Sequence, residues 1–101
     1  ILDEELFGPL GMVLEAKTDE ELLEITNNTK FGLANSIWSK DRKRLEFFFN
    51  GLESGTVSIN QITKSDARFP FGGTKSSGYG IELSLNALKE FTNTKMVLGK
   101  I

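Results

Sequence analysis

Cysteine and histidine are both absent from the 101 residues of this sequence. Without cysteine the chain has no thiolate nucleophile and no disulfide, and without histidine it lacks the common neutral-pH base and a usual zinc ligand. Because small secreted scaffolds are usually held together by disulfides, this composition favours a reducing cytoplasm. We therefore predict no catalytic residue and no metal site within the chain.

Long apolar runs and an excess of basic residues are missing too. No run approaches the ~20 residues needed to cross a membrane, and no signal peptide is visible at the start. The formal net charge is -2, whereas a nucleic-acid partner would favour a basic stripe. Apolar residues make up 39% and charged residues 26%, as in ordinary globular chains. We expect one globular unit with neither a nucleic-acid nor a membrane partner.

Short apolar segments alternate with helical patterns over the first sixty residues. Strands are predicted at residues 10–16, 33–39 and 56–60. Thr18 and Glu21 form a capping box that predicts a first helix over about residues 19–28. A second helix is predicted from about residue 40, because its apolar side chains recur at the spacing of one helical face. These side chains are Leu45, Phe48, Phe49 and Leu52.

Residues 61–80 interrupt this alternation with a polar, glycine-rich loop, and loops of this length are usually functional or disordered. A third helix is predicted over about residues 81–91 and a last strand over residues 96–101. The order is then β-α-β-α-β, a long loop, and α-β. Such alternation predicts an α/β fold with right-handed crossovers and a parallel sheet covered by helices.

The glycine-rich loop matches neither of two common phosphate-binding motifs. A P-loop needs glycine directly before its Lys-Ser or Lys-Thr pair, but Thr74 precedes Lys75. A dinucleotide fingerprint that used Gly78 and Gly80 would need a third glycine where Leu83 stands, and it would have to follow a strand directly. The loop is therefore not predicted to bind phosphate.

Two charged clusters each admit a structural and a functional interpretation. The acidic cluster comprises Asp3, Glu4 and Glu5, and the mixed cluster comprises Lys64, Ser65, Asp66 and Arg68. The acidic cluster is either a solvent-exposed lead-in to the fold or a source of carboxylates that accept hydrogen bonds from sugar hydroxyls. The second is either turn chemistry or an anchor whose hydroxyl and guanidinium donors suit a carboxylate. No histidine exists to activate Ser65 as a nucleophile, and only a Ser-Lys pair remains formally open.

The loop also holds three aromatic residues, Phe69, Phe71 and Tyr79. They either pack the loop onto the core or form the wall of an apolar binding tunnel.

Four stretches, taken in order, resemble the aldehyde dehydrogenase superfamily. They are Glu-Leu-Phe-Gly-Pro at residues 5–9, Phe-Gly-Leu-Ala at 31–34, Gly-Thr-Val-Ser-Ile-Asn at 55–60 and Pro-Phe-Gly-Gly-Thr-Lys-Ser-Ser-Gly at 70–78. The resemblance covers essentially the whole chain, which looks like the final fifth of such an enzyme. It implies that residues 1–93 form the C-terminal part of the catalytic domain and residues 94–101 an oligomerisation strand.

The resemblance also implies roles for individual residues. Glu5 matches the glutamate that holds the nicotinamide-ribose hydroxyls of NAD or NADP, and Phe7 matches the phenylalanine that packs near the nicotinamide. Asn60 ends the strand that leads into the substrate loop, and Phe71 matches the aromatic that lines the aldehyde tunnel. Residues 94–101 match the strand that pairs with a neighbouring subunit, so a homo-oligomer is expected; a terminal strand with a free edge does seek a partner.

A finer resemblance concerns residues 64–70, Lys-Ser-Asp-Ala-Arg-Phe-Pro. They are similar to the succinate-semialdehyde dehydrogenase branch, in which a serine of this loop helps to hold the distal carboxylate of the substrate. Ser65 falls on that position. Ala67 stands where that branch often has proline, and Ile81 stands where many members have arginine.

The reaction of the resembled family needs a cysteine thiolate that attacks the aldehyde, hydride transfer to NAD(P)+ and hydrolysis of a thioester. Its cysteine lies about a hundred residues before the Glu-x-Phe motif, so this chain is expected to be inactive alone. Two alternatives remain open. The chain could be a stand-alone, non-catalytic interaction module that docks through its C-terminal strand, or half of a split enzyme completed by a second chain.

Overall fold

The structure, a computed structural model, describes residues 4–100. Asp3 of the acidic cluster and Ile101 of the predicted last strand lie outside the described residues. Seven elements follow one another along the chain and make it an α/β structure. They are α1 (Asp19–Asn27), β1 (Phe31–Gly32), β2 (Ala34–Ile37), α2 (Arg42–Gly51), β3 (Thr56–Ile59), β4 (Thr74–Lys75) and α3 (Ser84–Glu90).

The centre of the fold is a β-α-β unit. β2 and β3 pair in parallel from Ala34 opposite Thr56 to Ile37 opposite Ile59, and α2 forms the crossover that parallel neighbours require. Phe48 of α2 is buried, and its ring meets Phe47 edge to face at 5.2 Å. The predicted parallel pairing of these two strands is therefore confirmed.

Both central helices begin where the sequence places their caps. The Thr18 hydroxyl accepts a hydrogen bond from the Glu21 N–H at 3.2 Å, and the Asp41 carboxylate accepts from the Lys43 N–H at 2.8 Å. These side chains satisfy donors that the first helical turn leaves without partners. The capping box thus fixes the start of α1, as predicted.

A second, antiparallel pair joins β1 to β4 and was not expected from the sequence. Phe31 lies opposite Lys75 and Gly32 opposite Thr74. Each strand has two residues, which is too short for a period-2 pattern to be visible. The pair ties the end of the glycine-rich loop to the segment before β2.

Three predicted elements differ from the structure. Residues 10–16 and 96–100 form neither helix nor strand. A strand needs a neighbour for its backbone groups. Within residues 4–100, neither stretch is paired with another segment, and the one backbone hydrogen bond of the two stretches is local, from the Leu10 N–H to the Gly8 carbonyl. α3 begins at Ser84 rather than at residue 81 because Glu82 pairs instead with Phe71, and Leu83 has a positive φ of 62°.

The chain leaves much apolar surface open. Its accessible surface is 8882 Å², against about 5,700 Å² expected for a compact chain of this length. Its radius of gyration is 18.1 Å, against about 13 Å expected. The open side chains include Leu85, Leu88, Phe91, Met96, Val97 and Leu98. Among the described residues, no helix is long and apolar enough to cross a membrane.

Candidate functional site

The loop that joins β3 to β4, residues 60–73, carries the two predicted substrate-binding residues, Ser65 and Phe71; we call it the long loop. It starts at Asn60, whose φ of 53° is one that asparagine tolerates better than most residues. The Asn60 side-chain amide donates to the Ser39 carbonyl and accepts from the Ser39 N–H, both at 2.9 Å. Its backbone N–H donates to the Ile37 carbonyl at 2.7 Å. The start of the long loop is thereby fixed at the carboxyl ends of β2 and β3.

The mixed cluster forms a tight turn in this loop. The Asp66 carboxylate accepts from Arg68 Nε at 3.0 Å and Nη2 at 2.6 Å, and also from the Arg68 backbone N–H at 3.0 Å. The Phe69 N–H closes the turn onto the Asp66 carbonyl. The guanidinium lowers the pKa of Asp66 from its usual range, and the carboxylate raises the pKa of Arg68. The charge of Arg68 is thus balanced within the loop.

Ser65 stands beside this turn with its side chain exposed. Its hydroxyl makes no hydrogen bond with any other residue of the described chain, so both its donor and its acceptor capacity face solvent. The turn therefore presents a free hydroxyl next to a neutralised ion pair.

Phe71 lies further along the same loop and is half-buried. Its backbone exchanges two hydrogen bonds with Glu82, at 2.9 and 2.8 Å. Its side chain belongs to the wall of an open cavity of about 350 Å³. The wall also includes Leu33, Tyr79, Ile81 and the glycines at 72, 73, 78 and 80. An aromatic ring in a concave, glycine-walled space is a suitable lining for a small organic ligand.

The structure places Glu5 and Phe7 in the segment before α1, away from any named element. Both side chains are exposed, Phe7 by 90%, and Phe7 has a positive φ of 44°. Within residues 4–100, no hydrogen bond joins this segment to the long loop. The chain thus carries Ser65 and Phe71 on one loop and Glu5 and Phe7 on a separate segment before α1.

The end of the long loop is held by Thr74 and Ser77, which are not among the predicted site residues. The Thr74 hydroxyl lies within hydrogen-bonding distance of the Gly32 and Glu53 carbonyls, at 3.1 and 2.8 Å. The Ser77 hydroxyl accepts from the Gly32 N–H at 2.9 Å. These contacts join positions more than twenty residues apart, so no local pattern could have revealed them.

No group of histidine, cysteine, aspartate and glutamate residues in the described part of the chain is arranged to hold a metal ion.

Comparison with known proteins gives the same family for sequence and for structure. The model of the aldehyde dehydrogenase family matches residues 1–97. The NADP(+) succinate-semialdehyde dehydrogenase 1 of Mycobacterium ulcerans is 45% identical over 94 residues, which are 93% of this chain and 20% of that protein.

Two solved structures are also similar. The succinate-semialdehyde dehydrogenase of Burkholderia pseudomallei superposes with a TM-score of 0.84 and 39% identity, over 89% of this chain and 19% of that one. The P. syringae indole-3-acetaldehyde dehydrogenase, bound to NAD+, superposes with a TM-score of 0.87 and 39% sequence identity, over 92% of this chain and 19% of that one. The chain spans about a fifth of the length of these relatives. It belongs to the aldehyde dehydrogenase family.

Proposed function

We propose that this chain forms one wall of the active site of an NAD(P)-dependent dehydrogenase that oxidises succinic semialdehyde to succinate. The family membership and the names of the relatives support the reaction. Since the sequence has no cysteine, the thiolate that attacks the aldehyde comes from another segment of polypeptide, and this chain alone is inactive. Residues 1–93 serve as part of the catalytic domain.

The observation that carries the substrate assignment is the free hydroxyl of Ser65. Arg68 is already paired with Asp66, and this carboxylate offsets the positive charge of the guanidinium and weakens its attraction for a second anion. Ser65 can donate a hydrogen bond to the distal carboxylate, and the exposed Lys64 adds a positive charge beside it. Phe71, in the wall of the cavity, borders the apolar part of the substrate.

The chemistry of Glu5 and Phe7 fits the nicotinamide riboside of the cofactor. An exposed carboxylate can accept hydrogen bonds from both ribose hydroxyls, and the exposed ring of Phe7 offers an apolar face to the nicotinamide. The bound nicotinamide supplies the hydride acceptor. Glu5 and Phe7 orient its ribose and ring, and Glu5→Gln therefore raises the KM for the cofactor.

The test compares Ser65→Ala with Ser76→Ala in the full polypeptide that carries this chain. Ser76 is an exposed loop serine whose hydroxyl has no partner among the described residues. We expect Ser65→Ala to raise the KM for succinic semialdehyde by about ten-fold, the cost of one charge-assisted hydrogen bond, with little change for an uncharged aldehyde. Ser76→Ala should change neither. Equal effects of Ser65→Ala on both aldehydes would remove the carboxylate-anchor role.

A second candidate function is a non-catalytic module that docks by its C-terminal segment. The observation in its favour is that Met96, Val97 and Leu98 are 79%, 82% and 84% exposed. In either case we propose that residues 94–101 pair with a neighbouring chain as an added strand, giving a homo-oligomer.

A further inference from the structure

The Lys75 side chain reaches away from the long loop and ends among three oxygen atoms. Its Nζ donates to the Asn27 carbonyl at 2.7 Å and to the Thr29 carbonyl at 3.3 Å, and it pairs with Glu53 Oε2 at 2.7 Å. An ammonium group has three protons and no acceptor, so these partners use its full capacity. The Lys75 side chain is only 25% exposed, whereas that of Glu53 is 61% exposed, so water screens the ion pair in part.

The three oxygens belong to the ends of the two central helices. Asn27 is the last residue of α1, whose last turn contains no basic residue, and a cation there complements the negative end of the helix dipole. Glu53 follows α2, and its backbone N–H donates to the Asn27 side chain at 3.0 Å. The ammonium of Lys75 therefore joins the end of the long loop to a junction of α1 and α2.

The Lys75 backbone has a φ of 54°. This left-handed conformation costs free energy for a residue with a Cβ, and glycine or asparagine would adopt it more readily. The three side-chain contacts offset that cost. Lysine is therefore favoured at position 75 by its side-chain contacts and not by its backbone conformation.

We propose that Lys75 is a positioning residue for substrate binding, which holds the end of the long loop so that Ser65 and Phe71 keep their places. This inference rests on the proposed function of the loop. Asn60 fixes one end of the loop and Lys75 the other, together with β4. Releasing one end lets the loop sample more conformations, and the substrate must then order it on binding. The substrate's KM should rise, while kcat should not, because the reacting groups lie outside this loop.

The first test compares Lys75→Met with Lys30→Met in the full polypeptide. The Lys30 ammonium lies 5.3 Å from the centre of the Phe31 ring, so this control removes a neighbouring charge by the same chemical change. Lys75→Met should raise the KM for succinic semialdehyde about ten-fold, the loss of charge-assisted hydrogen bonds, and leave kcat within about two-fold. Lys75→Arg, which keeps a cation with several donors, should recover part of the loss. A fall in kcat with unchanged KM would overturn the proposal.

A second readout does not depend on activity. Amide hydrogen exchange in residues 61–73 should be faster in Lys75→Met than in Lys30→Met, with α2 unchanged in both. Equal exchange in the two variants would overturn the positioning role even in an active enzyme. Conversely, a wild-type polypeptide without dehydrogenase activity would remove the proposed function, while the exchange result would still decide whether Lys75 holds the loop. If Lys75→Met does not fold, Glu53→Gln breaks the ion pair alone and should show the same changes at smaller size.

Discussion

At the scale of single residues, the charge state of the long loop depends on Asp66 and Arg68. The guanidinium donates to both carboxylate oxygens and lowers the pKa of Asp66, while the side chain of Arg68 stays 81% exposed. Solvent and salt screen such a pair, so its effect on global stability is small. The pair also places a carboxylate beside the guanidinium, which offsets the positive charge of Arg68 while Asp66 is ionised.

The titration of Asp66 tests this pairing directly. We expect its carboxyl, followed by carbon NMR, to titrate below the ordinary aspartate value of about 3.9. A carboxyl whose folded pKa is depressed stabilises the fold above the unfolded pKa, and that contribution is lost as the pH falls through the folded value. Arg68→Met should return the midpoint towards the ordinary value. Arg42→Met is the control: it removes an arginine that pairs with Glu46, and the midpoint of Asp66 should stay the same. An Asp66 pKa at the ordinary value in the wild type would contradict the pairing.

At the scale of elements, the cap of α1 is the feature most open to measurement. Thr18→Ala removes the acceptor of the Glu21 N–H and should lower the free energy of unfolding by about 1 kcal/mol. Thr18→Ser keeps the hydroxyl and should lose much less. Chemical denaturation of the full polypeptide gives both values, and equal losses in the two variants would show that the hydroxyl is not the stabilising group.

The contact between the start of β3 and the long loop makes a second element-scale prediction. A Cβ at Gly55 would overlap the Gly72 carbonyl oxygen, whereas a Cβ at Gly99 would meet nothing within 4 Å. Gly55→Ala must therefore shift either the start of β3 or the backbone at Gly72, which is the neighbour of Phe71 in the chain. We expect the KM for the aldehyde to rise at least about ten-fold, since small displacements of a binding wall are costly, and Gly99→Ala to be neutral. A neutral Gly55→Ala would mean that the loop does not approach β3 in this way.

Local signals account for what the sequence could predict at this scale. The capping box and the spacing of Leu45 and Phe48 specify α1 and α2, and the apolar run after each of these helices specifies β2 and β3. The β1–β4 pair joins positions at least 42 residues apart, and the contacts of Lys75 join positions at least 22 residues apart, so no short window along the sequence contains both partners. The residue types of the loop left a structural and a functional interpretation open for Ser65 and Phe71, and the resemblance favoured the functional one, because a free hydroxyl and a half-buried ring have no periodic signature.

Two predicted strands do not form in the structure, and they show why a sequence pattern alone cannot predict strand pairing. Residues 10–16 and 96–100 have the composition of strands, but pairing is a property of two segments. Within the described chain neither stretch has a partner, and Val13 and Val97 are 92% and 82% exposed. An apolar strand pattern thus predicts the capacity to pair, while the partner decides whether a strand forms.

At the scale of the whole molecule, the open apolar surface is the dominant property. The chain exposes 8882 Å², about half as much again as a compact chain of this length. Contiguous apolar patches beyond a few hundred Å² favour association. The isolated chain should therefore not remain a monomer in solution, and light scattering over a range of concentrations measures this.

The form of that association separates the two candidate functions. Pairing by residues 94–101 gives a closed, two-fold dimer, so the docking module predicts one monodisperse species that Leu98→Asp dissociates and Leu10→Asp does not. Leu10 is a suitable control because it is also apolar and exposed, by 66%, but lies outside that segment. An active-site wall separated from the segment that supplies its thiolate has several open faces instead. It predicts association that grows with concentration, is insensitive to either single substitution, and is relieved when the rest of the catalytic domain is co-expressed. A chain that stays monomeric at every concentration would contradict both, because its apolar faces would then have to close on one another.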